Sequence, residues 1–418
     1  MKKIFSIALA ATLLAAGCQK TEVIGTSTTG SKMTFSTEMK KITKAEGDDE
    51  TPYTGELPDG NVNLQTNGFK IWAYADYDLT VNSNNVTGDR IYDQMNGTLV
   101  SYSPETEESD AYWNPGQEYY WPAEERDLMF FAVSAQDGSI LNSKIVPKHG
   151  IEFPYGDSDF SKAQLEINDF TVNNLTPDND LMVADFRKQH SSQNNEAVDL
   201  WFRHALTKVQ FVFKTSTNPV DADGKPIKGA SQVFVQKVEV EDLENKGTLV
   251  ATYISDEASE DYEAVRNDNG AYVAPIHIEW KLPEQSSNVE FIATWPVPES
   301  LFPENFQKEN EKEETSADED DSKSLLLNNT EKTFATWFMM PQNIKDKLVK
   351  ITYVINRRQF SAMFPLGGST TGNKIEAWGV NQYVKYNITL TPDKILFDAD
   401  VTPWNPNNSG GDGESLQD

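Results

Sequence analysis

The sequence has one cysteine, four histidines and no surplus of positive charge. A single thiol cannot close an internal disulfide, so no disulfide framework holds this fold. Cysteine-based zinc modules are excluded with it. Lys and Arg number 36 against 65 Asp and Glu, a formal charge of −29. A field of that sign repels phosphate backbones and anionic lipid, which disfavours a nucleic-acid binder and a peripheral protein held by a basic face. Beyond the N-terminus no apolar run reaches 18 residues, the length of a membrane-spanning helix. Sustained 3.6-residue periodicity is also missing, so helix is expected to be scarce. What is present is apolar mass: 38% hydrophobic and 11% aromatic residues in a 418-residue chain. That is enough for roughly two domains with real cores.

The lone cysteine has an informative position. Met1 to Cys18 read MKKIFSIALAATLLAAGC. Lys2 and Lys3 are followed by an apolar stretch, Ile4–Ala16, too short for a permanent span, and then by the small residues Ala15, Ala16 and Gly17. This pattern is a secretion signal. Its end resembles the lipobox of bacterial lipoproteins, in which the chain is cut before the cysteine and the thiol is acylated. Cleavage is therefore expected between Gly17 and Cys18, with the lipid (palmitate among its chains) on Cys18. Gln19, rather than Asp, next to the cysteine implies retention at the outer membrane. Acyl chains anchor strongly, each buried CH₂ contributing about 0.8 kcal/mol. Loss of residues 1–17 removes two lysines and no acid, so the mature charge becomes −31.

After a Thr/Ser/Gly-rich tether, a strand is expected at Met33–Thr37, then a charged, turn-rich stretch from Lys40 to Asp59. From there the chain reads as β. Phe69, Ile71, Ala73 and Ala75 alternate with more polar neighbours. Leu128–Val133 is apolar at every position. Val349–Ile355, Val384–Leu390 and Ile395–Val401 repeat the two-residue period. Asn96-Gly97, Asn114-Pro115-Gly116 and Gly367-Gly368 are read as turns between strands, the last as a hairpin turn. The polar segment Gln189–Ala197 suggests a boundary. The expected organisation is a signal peptide (1–17), a tether with first strand and processing region (18–60), an N-terminal β-sandwich (61–190), a C-terminal β-sandwich (191–406) and a flexible tail (407–418). Within the C-terminal unit, 304–323 is an acidic insertion with nine acids and three lysines.

Residues that could carry chemistry do not converge. There is no nucleophile elbow and no phosphate loop. Of His149, His190, His204 and His277, none pairs at metal-ligand spacing. His204, in an apolar strand, reads as a structural histidine satisfied by backbone. Asp178/Asp180 and Asp221/Asp223 are carboxylate pairs that 65 acids make unavoidable, and nothing selects either as a glycosidase pair. The aromatic group Tyr112, Trp113, Tyr119, Tyr120 and Trp121 reads as core, with sugar stacking as the competing use. The chain is read as no enzyme, with no cofactor and no metal.

Several patches, in order, resemble the fimbrillin-like family, the subunits and accessory lipoproteins of type V pili in Bacteroides-type bacteria. They are Met33-Thr34-Phe35-Ser36-Thr37 with Thr43-Lys44-Ala45, Tyr119-Tyr120-Trp121-Pro122, and Leu128-Met129-Phe130-Phe131-Ala132. Asp180-Leu181-Met182-Val183-Ala184, Phe202–Val209, Phe338–Gln342, Trp378, Tyr383, Tyr386-Asn387-Ile388 and Val401-Thr402-Pro403-Trp404 complete the set. The resemblance implies an all-β chain of two transthyretin-like antiparallel β-sandwich domains. It also implies export as a lipoprotein, and fimbriae built head to tail by β-strand addition once a protease removes the first strand. Met33, Thr34, Phe35, Ser36 and Thr37 would then be the removable strand. The family's processing site is an arginine, whereas here no arginine precedes Arg90; Lys44 is the candidate processing residue. The expected role is a structural or adhesive component of cell-surface fimbriae (pilus subunit, tip or anchor). Its partners would be other fimbrial subunits, the outer membrane through the lipid, and a host protein or glycan. The alternative is a glycan-binding outer-membrane lipoprotein.

Overall fold

A computed structural model of the chain describes residues 31–39, 64–75, 92–106, 109–121, 127–135, 145–148, 163–174, 179–190, 196–216, 218–219, 227–228, 230–253, 272–274, 276–283, 289–295, 326–356, 358–368, 374–391 and 394–403. These residues are almost entirely β, as the two-residue periodicity predicts. Along the chain come β1 (Phe35–Met39), a one-turn helix α1 (Leu64–Asn67), β2 (Phe69–Ala75), β3 (Tyr92–Ser103), β4 (Tyr112–Asn114), β5 (Asp127–Ala135) and β6 (Ile145–Lys148). Then follow β7 (Gln164–Thr171), β8 (Leu181–Ala184), β9 (Phe186–His190), β10 (Val198–His204), β11 (Thr207–Thr215) and β12 (Val233–Leu243). The next are β13 (Lys246–Tyr253), β14 (Tyr272–Ala274), β15 (Ile276–Lys281), β16 (Val289–Thr294), β17 (Lys332–Met339) and β18 (Gln342–Asn343). Last are β19 (Leu348–Ile355), β20 (Arg358–Pro365), β21 (Ala377–Trp378), β22 (Gln382–Leu390) and β23 (Ile395–Pro403).

The largest sheet has the order β1-β10-β8-β5-β2-β3-β4, with β9 also on β5 and β14 on β9. Its middle strand, β5, is apolar at every position from Leu128 to Val133, and both faces are buried. This is the pattern expected of a strand covered on both sides. A second sheet has the order β15-β13-β7-β6. Two more have the orders β17-β11-β22-β23 and β16-β12-β19-β20. The last two pack face to face. Phe291 of β16 lies 6.0 Å from Trp337 of β17, and Phe364 of β20 stacks on Phe397 of β23 at 5.2 Å. Sheets with one apolar face bury it this way.

Four ladders cross residue 190. β10 pairs with β8 and with β1, β14 pairs with β9, and β13 pairs with β7. Strands from both sides of the expected boundary therefore share backbone hydrogen bonds. β10 and β11 are joined by only Ala205 and Leu206, and the join is pinned. Trp280 Nε1 donates to the Ala205 carbonyl at 2.7 Å, and the Asn381 N–H donates to that of Leu206.

Three turn assignments divide. Asn114-Pro115-Gly116 is a turn, with the Gly116 N–H donating to Asn114 Oδ1. Asn96-Gly97 instead lies inside β3. Asn96 pairs with Trp72 and Thr98 with Ile71, which leaves Gly97 as the extra residue of a bulge at φ 68°. Glycine adopts that left-handed geometry without penalty, so the dipeptide that marks hairpin turns serves here to bend a strand. Gly367-Gly368 ends β20 but makes no hairpin: β20 pairs with β19, and β21 pairs with β18.

Candidate functional site

The site is built around the first strand. The period-two pattern of Met33-Thr34-Phe35-Ser36 puts Met33 and Phe35 on one face, and these are only 2% and 6% exposed. The regular strand starts two residues later than expected, at Phe35, because the segment changes neighbours there. Residues 31–33 bridge antiparallel to 119–121. The Met33 N–H donates to the Tyr119 carbonyl at 2.8 Å, and the Trp121 N–H donates to that of Ser31 at 3.0 Å. From Phe35 onward the strand runs parallel to β10, in the register Phe35↔Val198 to Met39↔Phe202. The Val198 N–H donates to the Thr34 carbonyl at 2.8 Å.

The segment is therefore held on both sides. Residues 119–121 follow β4, the far end of the sheet, so this contact brings the sheet round onto itself. Interior rings confirm the curvature. Phe69 of β2 lies 6.3 Å from Phe35, 5.5 Å from Phe202 of β10 and 5.1 Å from Trp113 of β4. Trp121, 1% exposed, packs edge-on against Phe130.

On the outer face, Ser36 Oγ donates to Asp199 Oδ1 at 2.9 Å, while Trp201 Nε1 donates to Asp199 Oδ2 at 2.7 Å. Two residues along β10, Arg203 grips Asp185 with Nε and an Nη at 2.7 and 2.9 Å. Beside the bridge, Tyr120 donates to Glu118 Oε2 at 2.5 Å, which holds the Glu118 carboxyl below its usual range with help from Lys32. On the inner face, His204 Nδ1 and Asp180 Oδ2 lie 2.6 Å apart, with the side chains 4% and 0% exposed. Burial pushes the Asp180 carboxyl up, and His204 beside it pulls it back. His204 is structural as expected, but its partner is a carboxylate rather than backbone alone.

Of the residues singled out from sequence, the structure brings together Met33, Thr34, Phe35, Ser36, Trp113, Tyr119 and Trp121. Thr37 continues β1 opposite Leu200. Gly17, Cys18, Lys44, the acidic stretch 304–323 and the tail 407–418 lie outside the described residues. Of the aromatic group, Trp121 is buried, Trp113, Tyr119 and Tyr120 are half-buried with Trp113 packed on Phe69 and Tyr102, and Tyr112, at 49%, is exposed. Asp199 was not legible as a site residue. In Val198-Asp199-Leu200-Trp201 it reads as an outward polar position, and nothing in the sequence ties it to a serine 163 residues earlier.

The fimbrillin-like family pattern matches residues 58–404. No curated protein matches the chain. Among solved structures, the chain is similar to a fimbrial protein from Bacteroides vulgatus, 15% identical with a TM-score of 0.41, the match covering 90% of this chain and 100% of that one. It is also similar to a candidate cell adhesion protein from Bacteroides uniformis, 13% identical with a TM-score of 0.39, over 90% and 98% of the two chains. A candidate cell adhesion protein from Bacteroides ovatus is 12% identical with a TM-score of 0.38, over 90% and 98%.

Proposed function

The chain belongs to the fimbrillin-like family, and from that premise we propose that it is a subunit, tip or anchor of cell-surface fimbriae, assembled by exchange of its first strand. Membership makes it a structural protein rather than an enzyme. The observation that carries the assembly reading is the environment of β1. Met33 and Phe35 fill the interior of a curved sheet, and the backbone there is bonded on both sides. Taking this strand away would leave apolar positions empty and two rows of backbone groups without partners. Such an edge is satisfied best by another strand. Head-to-tail repetition of that step gives an open filament.

On this reading, cleavage before Cys18 and acylation of its thiol deliver the chain to the outer membrane, exposed at the cell surface. Cutting near Lys44 then frees the strand that includes Met33–Thr37. The halves 61–190 and 191–406, transthyretin-like by resemblance, travel as one subunit because ladders run between them. The partners are neighbouring subunits through the vacated position and the membrane through the lipid, with a host protein or glycan as the adhesive target. Glycan binding as the primary role has less support, because Trp121 is buried and the half-buried Trp113 packs on Phe69.

Immunogold electron microscopy of producing cells tests this function. Label along fibres, at tips or at the membrane assigns stalk, tip or anchor. Absence of fibre label, together with strictly monomeric protein after trimming at Lys44, refutes the strand-exchange assembly. Cys18→Ser should abolish palmitate labelling and release the protein from membrane fractions.

A further inference from the structure

The present occupant of the β10 edge shows what that edge can hold. Along β10, Val198, Leu200 and Phe202 face the core, and Asp199, Trp201 and Arg203 face outward. A strand lying parallel to β10 in the register of β1 must therefore place one side-chain set inward and the other over this polar row. Inward, Met33 and Phe35 are both buried, and the Phe35 ring packs edge-on against Phe69. Outward, the position of Ser36 lies directly opposite Asp199.

Arg203, four residues from Asp199 along the same face, is engaged bidentately by Asp185. The Asp199 carboxylate divides its two oxygens between the Trp201 indole and the Ser36 hydroxyl. An acceptor aligned by a neighbouring indole favours a donor across the ladder, and a like charge directly opposite is destabilising. In a chain with 65 acids and 36 bases, a position that rejects carboxylates discriminates against many strands. Specificity commonly rests on such a repulsive element as well as on an attractive one.

We infer that Asp199 selects which strand can lie on β10: one running parallel to it, with large apolar residues at the positions of Met33 and Phe35, and a hydroxyl donor rather than a carboxylate at the position of Ser36. The inference rests on the reading that β1 is replaceable, and deepens it by specifying the chemistry of the incoming strand.

The test uses the full chain with a site-specific protease sequence inserted after Lys44. After cutting, the first strand is held only through its ladders. Labelled peptides with the sequence of residues 31–39, and the same peptide carrying Ser36→Ala or Ser36→Asp, are added in excess and their uptake is followed by fluorescence anisotropy. The parent peptide should exchange in. The Ser36→Ala peptide should bind about ten-fold more weakly, the loss of one hydrogen bond to a charged acceptor, and the Ser36→Asp peptide more weakly still. On the nearly isosteric Asp199→Asn chain, the penalty for the Ser36→Asp peptide should largely vanish. Equal binding of all three peptides to the wild-type chain overturns selection by Asp199 while strand replacement stands. Failure of every peptide, the parent included, to displace the resident strand overturns strand replacement and this inference with it.

Discussion

Replacing Phe35 by alanine probes whether the first strand is a separable element. Its ring is 6% exposed and meets Phe69 edge-to-face at 6.3 Å. Burying a phenylalanine side chain contributes about 1.5–3 kcal/mol, and an edge-to-face pair adds about 0.5–1.5 kcal/mol. With the cavity left behind, Phe→Ala in a core costs about 3–5 kcal/mol. At 1.4 kcal/mol per decade this is a factor of roughly 10² to 4 × 10³ in the equilibrium for opening β1. If β1 opens on its own, the loss is confined to it and its ladder partners, because local opening draws only on local contacts. Hydrogen exchange read by mass spectrometry should then show faster exchange at 31–39, 119–121 and 198–202. Exchange at Thr207–Thr215, in the interior of another sheet, should stay unchanged. Phe69→Ala is the contrast, since its ring is shared among β1, β4 and β10 and its loss should be felt throughout the sheet. The reasoning is refuted if Phe35→Ala leaves exchange at 31–39 unchanged. It is equally refuted if 207–215 accelerates by the same factor, for then β1 belongs to one cooperative unit.

Three further outcomes follow from other parts of the molecule. His204→Ala should cost about 3–5 kcal/mol in urea unfolding, because it takes the ring partner from the fully buried Asp180 carboxyl; a loss under about 1 kcal/mol contradicts the pairing. Glu331 accepts from Lys385 at 2.6 Å and Lys214 at 3.1 Å, and these contacts, that of Lys385 foremost, hold its carboxyl below the ordinary 4.5. A depressed folded-state value means stability that is present above pH 4.5 and lost as pH falls through the folded value. Glu331→Gln should flatten that part of the acid limb in thermal melts taken from pH 6 to 3. Gly68→Ala should lower the melting temperature markedly: Gly68 has φ 68°, and an added Cβ would meet the Val100 carbonyl oxygen at 2.4 Å. The left-handed penalty alone is about 1–2 kcal/mol, so an unchanged melting temperature would refute the geometry.

Much of the fold can be read from particular segments. Phe69–Ala75 carries the strand period at the bounds of β2, and Leu128–Val133 declares a strand covered on both faces by lacking any polar position. The alternation at Val384–Leu390 and Ile395–Val401 places β22 and β23 to within a few residues. Asn96-Gly97 misleads because one backbone conformation, a left-handed glycine, serves both a hairpin turn and a bulge. Only the strand opposite, with two residues of β3 flanking the spare one, tells them apart. The partner of His204 was hidden for a different reason. Asp180 is 24 residues away, and one carboxylate among 65 carries no local mark of the ring it will meet.

The sequence by itself determined the local quantities: a sole cysteine at position 18, a charge of −29, and strands whose inward sets are apolar. These depend on neighbours two or three residues apart, and so are written in the order of residues. Which strand lies beside which was decided only by tertiary structure. Met33-Thr34-Phe35-Ser36 has the same alternation whether it pairs with residue 60 or residue 198. Its parallel register with β10, the closure through residues 119–121 and the meeting of Ser36 with Asp199 exist because the whole curved sheet places those edges at hydrogen-bond distance. A strand's period states which side chains point inward; the partner at its edge is chosen by long-range packing that no local pattern contains.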